Sequence, residues 1–491
     1  MKLAKMTAAL AVAGLALPAL AAGPDTATLQ KLLERMEKLE ARNAELEKEV
    51  KALKGESESI AKGLESPRLS EYEPELTVRL KGAEKDVLEM KKSAKLADKL
   101  DGIKVGAALT TVAQHASGLP TGTADGGSQL NYRADVSVEL PLSPMGDIEQ
   151  KVFAHVRMGQ GQGLNAALSR LGYFASAPNA VAFRASGANP DDSVAILGQA
   201  WYQAAIPLPF GGFKPYSREK LELTFGKMDI FGFFDQNTGA GDESKQFLNS
   251  VFIHNPLLDA GREIGVDANG FQPGFIAAYV NNTNKAEPWR VSLGVFGAGD
   301  KGSNYQKSLS APLTMLQAEK QLRLFGGLLG NYRAYAWTRS QVSELDGVTT
   351  GRHTGIGLSI DQRVGDGVNL FARYGNLVKG ELPFNQALSI GGEINGAYWG
   401  RGADAIGIGG SWLKASAAYR AAGGSGDLDG NGVADFTFTP GGAEKVAEIY
   451  YRYRIAPQFE ITPDFQLVTR GGANRDARSV KVLGLRANIS Y

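Results

Sequence analysis

The chain has 491 residues and a formal net charge of +1, with 43% hydrophobic and 21% charged residues. A balance this close to neutral gives no basis for nucleic-acid binding. With no cysteine, disulfides, thiolate catalysis and cysteine-based metal sites are excluded, which suits an extracytoplasmic compartment where stray thiols are a hazard.

The chain opens with MKLAKMTAALAVAGLALPALAAGPD. Lys2 and Lys5 form a positive region, and an apolar run follows to about Leu17. Pro18 breaks that run, and Ala19-Leu20-Ala21 supplies a small-x-small cleavage site. Residues 1–21 therefore read as a secretory signal peptide rather than a buried N-terminal helix. Beyond them no segment reaches the roughly 18 apolar residues of a spanning helix. That leaves a soluble protein, a peripheral one, or a membrane β-barrel, whose strands alternate and carry no long apolar run.

Residues 22–100 read as a periplasmic coiled coil followed by a polar linker. Leu29, Met36, Asn43 and Val50 fall at one heptad position, and Leu32, Leu39, Leu46 and Leu53 at the other. Glu and Lys flank this seam, as in an α-helical coiled coil. Asn43 in the seam costs stability but fixes register and strand number. The plainer reading is a single amphipathic helix packed on its own protein. Gly55 ends the repeat.

From Gly102 the period changes to 2. GIKVGAALTTVAQ opens it, followed by LNYRADVSVELPL, KVFAHVRMG, AILGQAWYQAAIPL, KLELTFGKMDI, GFIAAYVNN, WRVSLGVFGAG, RAYAWTRS, TGIGLSIDQRV, NLFARYGNL and AIGIGGSWLKASAAY. Turn residues and long Gly/Asn/Asp-rich stretches separate them. Residues 101–491 are expected to form an all-β transmembrane barrel, antiparallel and up-and-down. At roughly 45 residues per hairpin and loop, that length allows about 16 strands, within a range of about 16 to 18.

The end of the chain is the clearest. Ala447, Ile449, Tyr451, Tyr453 and Ile455 alternate with Glu448, Tyr450, Arg452 and Arg454. Leu483, Leu485, Ala487, Ile489 and Tyr491 share one face of the last strand, opposite Gly484, Arg486, Asn488 and Ser490. A soluble sandwich gives the same alternation. The signal peptide, the absent cysteine, the number of strands and a terminal aromatic on the apolar face favour a barrel, with lipid on the greasy side and a wet lumen on the charged side.

Three stretches carry a resemblance. LTFGKMDIFGFFDQNTGAGDESKQFLNSVFIHNP spans residues 223–256, GADAIGIGGSW spans 402–412, and the chain ends in EIYYRYRIAPQFEITPDFQLVTRGG and KVLGLRANISY. Together they resemble the carbohydrate-selective porins (OprB-like) of Gram-negative outer membranes. The resemblance implies a barrel of about 16 strands that passes sugars and other small solutes by diffusion. The N-terminal coiled coil is a departure from the family's barrel pattern.

On the expected lumenal face, Arg452, Arg454 and Arg486 stand among Glu448, Glu460, Asp464 and Gln466. Such opposed charges favour polar solutes and orient water, or else they only brace the wall. Tyr450 and Trp201 are candidate surfaces for sugar stacking. Lys227, Asp229, Asp235 and Asn237 cluster at a strand end, and either fold inward to narrow the pore or form an ordered turn. In DLDGNGVAD, Asp427, Asp429, Asn431 and Asp435 occupy positions 1, 3, 5 and 9 of a calcium loop, with Gly432 at the tight turn. Position 12 is Phe438 rather than glutamate, so an acidic turn is the other reading. The four histidines lack metal spacing, and no nucleophile–base pair stands out, so no enzyme is expected. The overall expectation is an outer-membrane porin in contact with lipid and sugars, assembled as a homotrimer, without cofactor chemistry apart from structural calcium. A barrel serving mainly as an envelope tether, or as a sheath for a partner protein, is the competing reading.

Overall fold

A computed structural model of the chain describes residues 102–119, 127–164, 177–183, 193–212, 214, 216–259, 270–298, 307–427, 432–436 and 438–491, together with Ala44, Lys48, Val50 and Lys51. Those last four are helical. The signal peptide, the heptad seam with Asn43, and the polar linker otherwise lie outside the described residues.

The period-2 pattern folds as strands throughout. They are β1 (Lys104–Ser117), β2 (Ser128–Met145), β3 (Ile148–Gln160), β4 (Val194–Pro207), β5 (Glu219–Asp229), β6 (Phe271–Asn281), β7 (Trp289–Phe296) and β8 (Leu313–Leu324). The second half adds β9 (Leu328–Ser343), β10 (Thr350–Gly365), β11 (Val368–Lys379), β12 (Phe384–Gly396), β13 (Arg401–Ala415), β14 (Ala443–Ala456), β15 (Phe459–Thr469) and β16 (Val480–Ser490). Each strand pairs antiparallel with its sequence neighbours, and β1 pairs with β16, so the sheet closes into a barrel. Closure leaves no edge strand with unpaired backbone groups. The seam is carried to the last residue: Tyr491 N–H donates to the Ala107 carbonyl at 2.7 Å, and Ala107 N–H returns a bond to the Tyr491 carbonyl at 3.1 Å.

Two strands escape the sequence reading. Leu313–Leu324 (LTMLQAEKQLRL) is rich in good helix formers, which hides its alternation. Phe384–Gly396 carries the Gly391-Gly392 pair, which reads as a loop. The reading also runs one strand too far. β13 stops at Ala415, and Ser416 accepts the Tyr419 N–H at 3.0 Å, capping the short helix Ala417–Ala422.

Alternation sorts the two faces as expected. On β16, Leu483, Leu485 and Ile489 point outward and exposed, whereas Val482, Arg486 and Asn488 point inward and are buried. The inner face also packs aromatic rings onto glycine. A Cβ at Gly357 would collide with the Tyr335 ring, and one at Gly407 with the Tyr450 ring. Glycine at these cross-strand positions leaves the space that each ring occupies.

The two rims differ. At the end holding Tyr491 the connections are short, for example 146–147, 366–367 and 457–458. At the other end they are longer, and the one between β5 and β6 spans 230–270. Membrane barrels of this kind face the cell exterior with the long loops and the periplasm with the short turns.

Candidate functional site

The β5–β6 connection folds into the barrel. Asp229 starts it by accepting the Phe231 N–H at 3.0 Å, so the chain turns inward as soon as the strand ends. Ile230 and Phe234 bury at once, and Phe234 meets the Phe296 ring edge-on at 5.7 Å. Asp235 follows with φ of 53°, a left-handed conformation that aspartate tolerates better than most residues. Its buried carboxylate pairs with Arg373 of β11 at 3.2 Å and accepts from Tyr335 of β9 at 2.9 Å and the Asn255 N–H at 2.7 Å.

The loop then crosses the interior. Thr238 donates to Asp361 of β10 at 2.7 Å, and Glu243 accepts from Arg133 of β2 at 2.8 Å. β2 and β10 lie eight strands apart in the ring of sixteen. Residues 238–243 therefore bridge one wall to the opposite one and divide the lumen.

Beyond this bridge the loop lies along β11–β16. Arg486 donates to the carbonyls of Glu243 and Gln246 at 2.9 and 2.7 Å, and Arg452 to that of Lys245 at 3.3 Å. Both oxygens of Glu448 accept backbone N–H groups, from Leu248 at 2.6 Å and Asn249 at 2.9 Å. Gln466 joins the Asn249 side chain at 3.0 Å to the Pro178 carbonyl at 2.9 Å, tying in a segment of the β3–β4 connection. Phe247 and Phe252 rest on Gly409, where a Cβ would stand 2.9 Å from each ring.

This places the residues singled out from sequence. Arg452, Arg454, Arg486, Glu448, Glu460, Asp464, Gln466 and Tyr450 do share the inner face. Glu448, Asp464, Gln466, Arg486 and Tyr450 lie buried, with the loop over them. Tyr450 is sealed by the edge of Phe247 at 5.1 Å and donates to Glu393 at 2.5 Å. Arg452 pairs with Glu393 at 3.0 Å and Arg454 with Glu460 at 3.3 Å. Asp235 and Asn237 belong to the inward loop, and Asn237 is fixed to the Ile360 carbonyl at 3.0 Å. Lys227 holds its ammonium 6.0 Å from the Phe271 ring. Asp429 and Asn431 of the acidic loop lie outside the described residues. Asp427 accepts the Gly432 N–H at 2.7 Å, with Gly432 at φ of 85°, and Asp435 is exposed.

Among the described residues, the loop leaves the opposite wall uncovered. Lys151 and Arg157 of β3, Lys220 and Glu222 of β5, and Arg290 of β7 keep partial side-chain exposure, 35% at Lys151 and 27% at Arg290. Their charges are paired across strands: Arg157 with Asp135 at 2.7 Å, and Arg290 with Glu222 at 3.0 Å. Trp201 stands among them, stacked on Phe153 at 4.9 Å, with Lys151 5.6 Å from its ring and Phe233 of the loop edge-on at 5.5 Å. Sequence reading found Trp201 and missed the rest. Arg133, Asp135, His155 and Arg157 alternate along β2 and β3 as clearly as the charges of β14, but alternation does not tell which wall a loop will cover.

Glu243 sits where the bridge meets this open side. Burial works against its charge, yet Arg133, with Arg157 and His254 behind it, outweighs that cost and holds the carboxyl below its ordinary value. A carboxylate lowered in this way contributes stability above the ordinary glutamate range, and that contribution is lost as pH falls through the lowered value. Single-channel conductance is therefore expected to stay constant down to about pH 4 and to rise below it as the Arg133 anchor is lost. In Glu243→Gln the acid step should be absent. The same step in both proteins would show that Glu243 is not its cause.

A family model described as carbohydrate-selective porin, OprB family, matches residues 150–491. The structure of Pseudomonas putida OprB at high pH superposes with a TM-score of 0.61 at 19% identity, covering 81% of this chain and 96% of that one. An uncharacterised curated protein of Aquifex aeolicus (strain VF5) is 26% identical over 268 residues, 54% of this chain. The chain spans 63% of the length of that relative.

Proposed function

The chain belongs to the carbohydrate-selective porin (OprB) family of Gram-negative outer membranes, and on that premise we propose that it passes small hydrophilic solutes, carbohydrates among them, by passive diffusion through a charge-lined lumen. It is a channel and not an enzyme. The observation that carries the reading is the bridge of residues 238–243 between β10 and β2. Barrels of sixteen strands enclose an aqueous channel, and a loop fixed at both walls narrows it to a size filter.

The passage runs along the β3–β7 side, past Lys151, Arg157, Glu222, Arg290 and Trp201. Opposed charges there orient water and hold polar solutes without trapping them. Trp201, already braced by Phe153 and Phe233, offers an aromatic surface to the apolar face of a sugar ring. The buried charges of β14–β16 hold the loop that shapes the filter. The same loop takes up the interior that a sheathed partner protein would need, which counts against the sheath. Residues 22–100 on the periplasmic side and a homotrimeric assembly complete the proposal.

Liposome swelling with a monosaccharide, a disaccharide and a neutral sugar alcohol tests it. Fast, size-limited entry of the sugars is the expected result. Trp201→Ala should weaken sugar block of the ion current by about 2- to 10-fold, the worth of one aromatic contact. Correctly inserted barrels that give no swelling would sink the diffusion reading.

A further inference from the structure

Along β13–β16 the outer face carries different charged groups at its two ends. On the β13 outer face, Asp404 lies near the periplasmic end, bonded to Arg401 at 2.5 Å and to the Tyr451 hydroxyl at 2.6 Å. Arg401 also covers the Tyr453 ring at 4.3 Å. This is an interfacial girdle of aromatic and charged groups. Further along the same face stand Trp412, eight residues on, and Lys414, ten residues on. Ten residues of strand rise roughly 33 Å, or about 25 Å in height at a usual barrel tilt, which is the height of a lipid-facing apolar band. The interval from Tyr491 to Lys481 on β16 is the same. Lys414 and Lys481 therefore mark the outer-leaflet interface, and Lys445 of β14 stands across from Trp412 in register.

Among the described residues, none of these three lysines makes an ion pair. Lys414 instead donates to Gln386 of β12 at 3.3 Å, and Gln386 donates to Asn376 of β11 at 3.1 Å. This amide ladder runs over three strands on the lipid-facing side, a position that hydrocarbon would penalise.

We infer that the outer rim of β11–β16 binds a phosphorylated glycolipid of the outer leaflet. The lysines meet its phosphates, and the Gln386–Asn376 amides meet its sugar hydroxyls. Three unneutralised ammonium groups at headgroup height match phosphate charge, and amides beside them have the donors and acceptors that a sugar requires. The inference rests on the outer-membrane placement of the barrel.

The test is a titration of the purified full-length protein with lipopolysaccharide, with the same lipid after phosphatase treatment, and with phosphatidylglycerol, read by native mass spectrometry. The variant carries Lys414→Gln, Lys445→Gln and Lys481→Gln together. At about a factor of five per lysine near an anionic surface, the variant should bind lipopolysaccharide roughly a hundredfold more weakly. Phosphatase treatment should weaken binding to wild type comparably. The triple variant should keep wild-type conductance, because its changes lie outside the wall, so failure here is separable from failure of the diffusion reading. Equal affinity of variant and wild type would overturn the inference. So would phosphatidylglycerol binding as tightly as lipopolysaccharide, which would mean that the rim attracts any anionic surface.

Discussion

Arg373→Ala is expected to free the inward loop and widen the channel while leaving the barrel closed. Arg373 is 2% exposed and paired with an Asp235 that is 0% exposed. It also donates to the carbonyls of Ala240 at 2.6 Å, Asp235 at 3.0 Å and Phe252. Removing it strands a buried carboxylate in a left-handed backbone position and orphans three carbonyls. Breaking a buried pair from one side costs about 3–5 kcal/mol. The docking equilibrium constant of the loop should therefore fall by roughly a hundredfold to a few thousandfold. The barrel ladder does not depend on Arg373, so the loss should appear as local opening and not as global unfolding. Raised single-channel conductance, passage of larger sugars and protease cleavage within 230–259 are the expected readings. Unchanged conductance together with an uncut loop would refute this role.

Glu448→Ala should give the second large effect, by a different route. Glu448 is read from sequence as facing the solute. In the folded barrel both of its oxygens accept N–H groups of Leu248 and Asn249. Each buried donor left unpaired costs about 1–3 kcal/mol, so the two together should cost about 2–6 kcal/mol of loop docking. Conductance should rise, with sugar block weakened only in proportion to the wider bore. A residue that contacted solute directly would instead lose sugar block at constant conductance. Glu448→Gln keeps one acceptor oxygen and should fall between wild type and Glu448→Ala. The order of the three conductances is thus the measurement that separates bracing from contact.

Much of the architecture was legible in the residues. Ala447 to Ile455 and Leu483 to Tyr491 alternate strictly because one face meets lipid and the other the polar interior, and that constraint holds for each strand by itself. It made the barrel, its approximate strand number, and the inward direction of Arg452, Arg454, Arg486, Glu448, Asp464 and Gln466 readable without coordinates. Leu313–Leu324 and Phe384–Gly396 were hidden because helix-favouring residues or a glycine pair blur that same local signal.

What the residues could not specify was which inward charges meet water. Arg486 and Arg157 look alike in sequence, each a cation on the inner side of a strand. One is sealed beneath residues 243–246, and the other remains partly exposed beside Asp135. The difference arises from contacts between residues 200 or more positions apart, such as Leu248 with Glu448 and Glu243 with Arg486. Period and propensity are properties of neighbours along the chain, and they determined a closed, two-faced wall. The path of the loop across that wall depends on which distant groups satisfy its backbone donors and acceptors, and only the tertiary structure decided that.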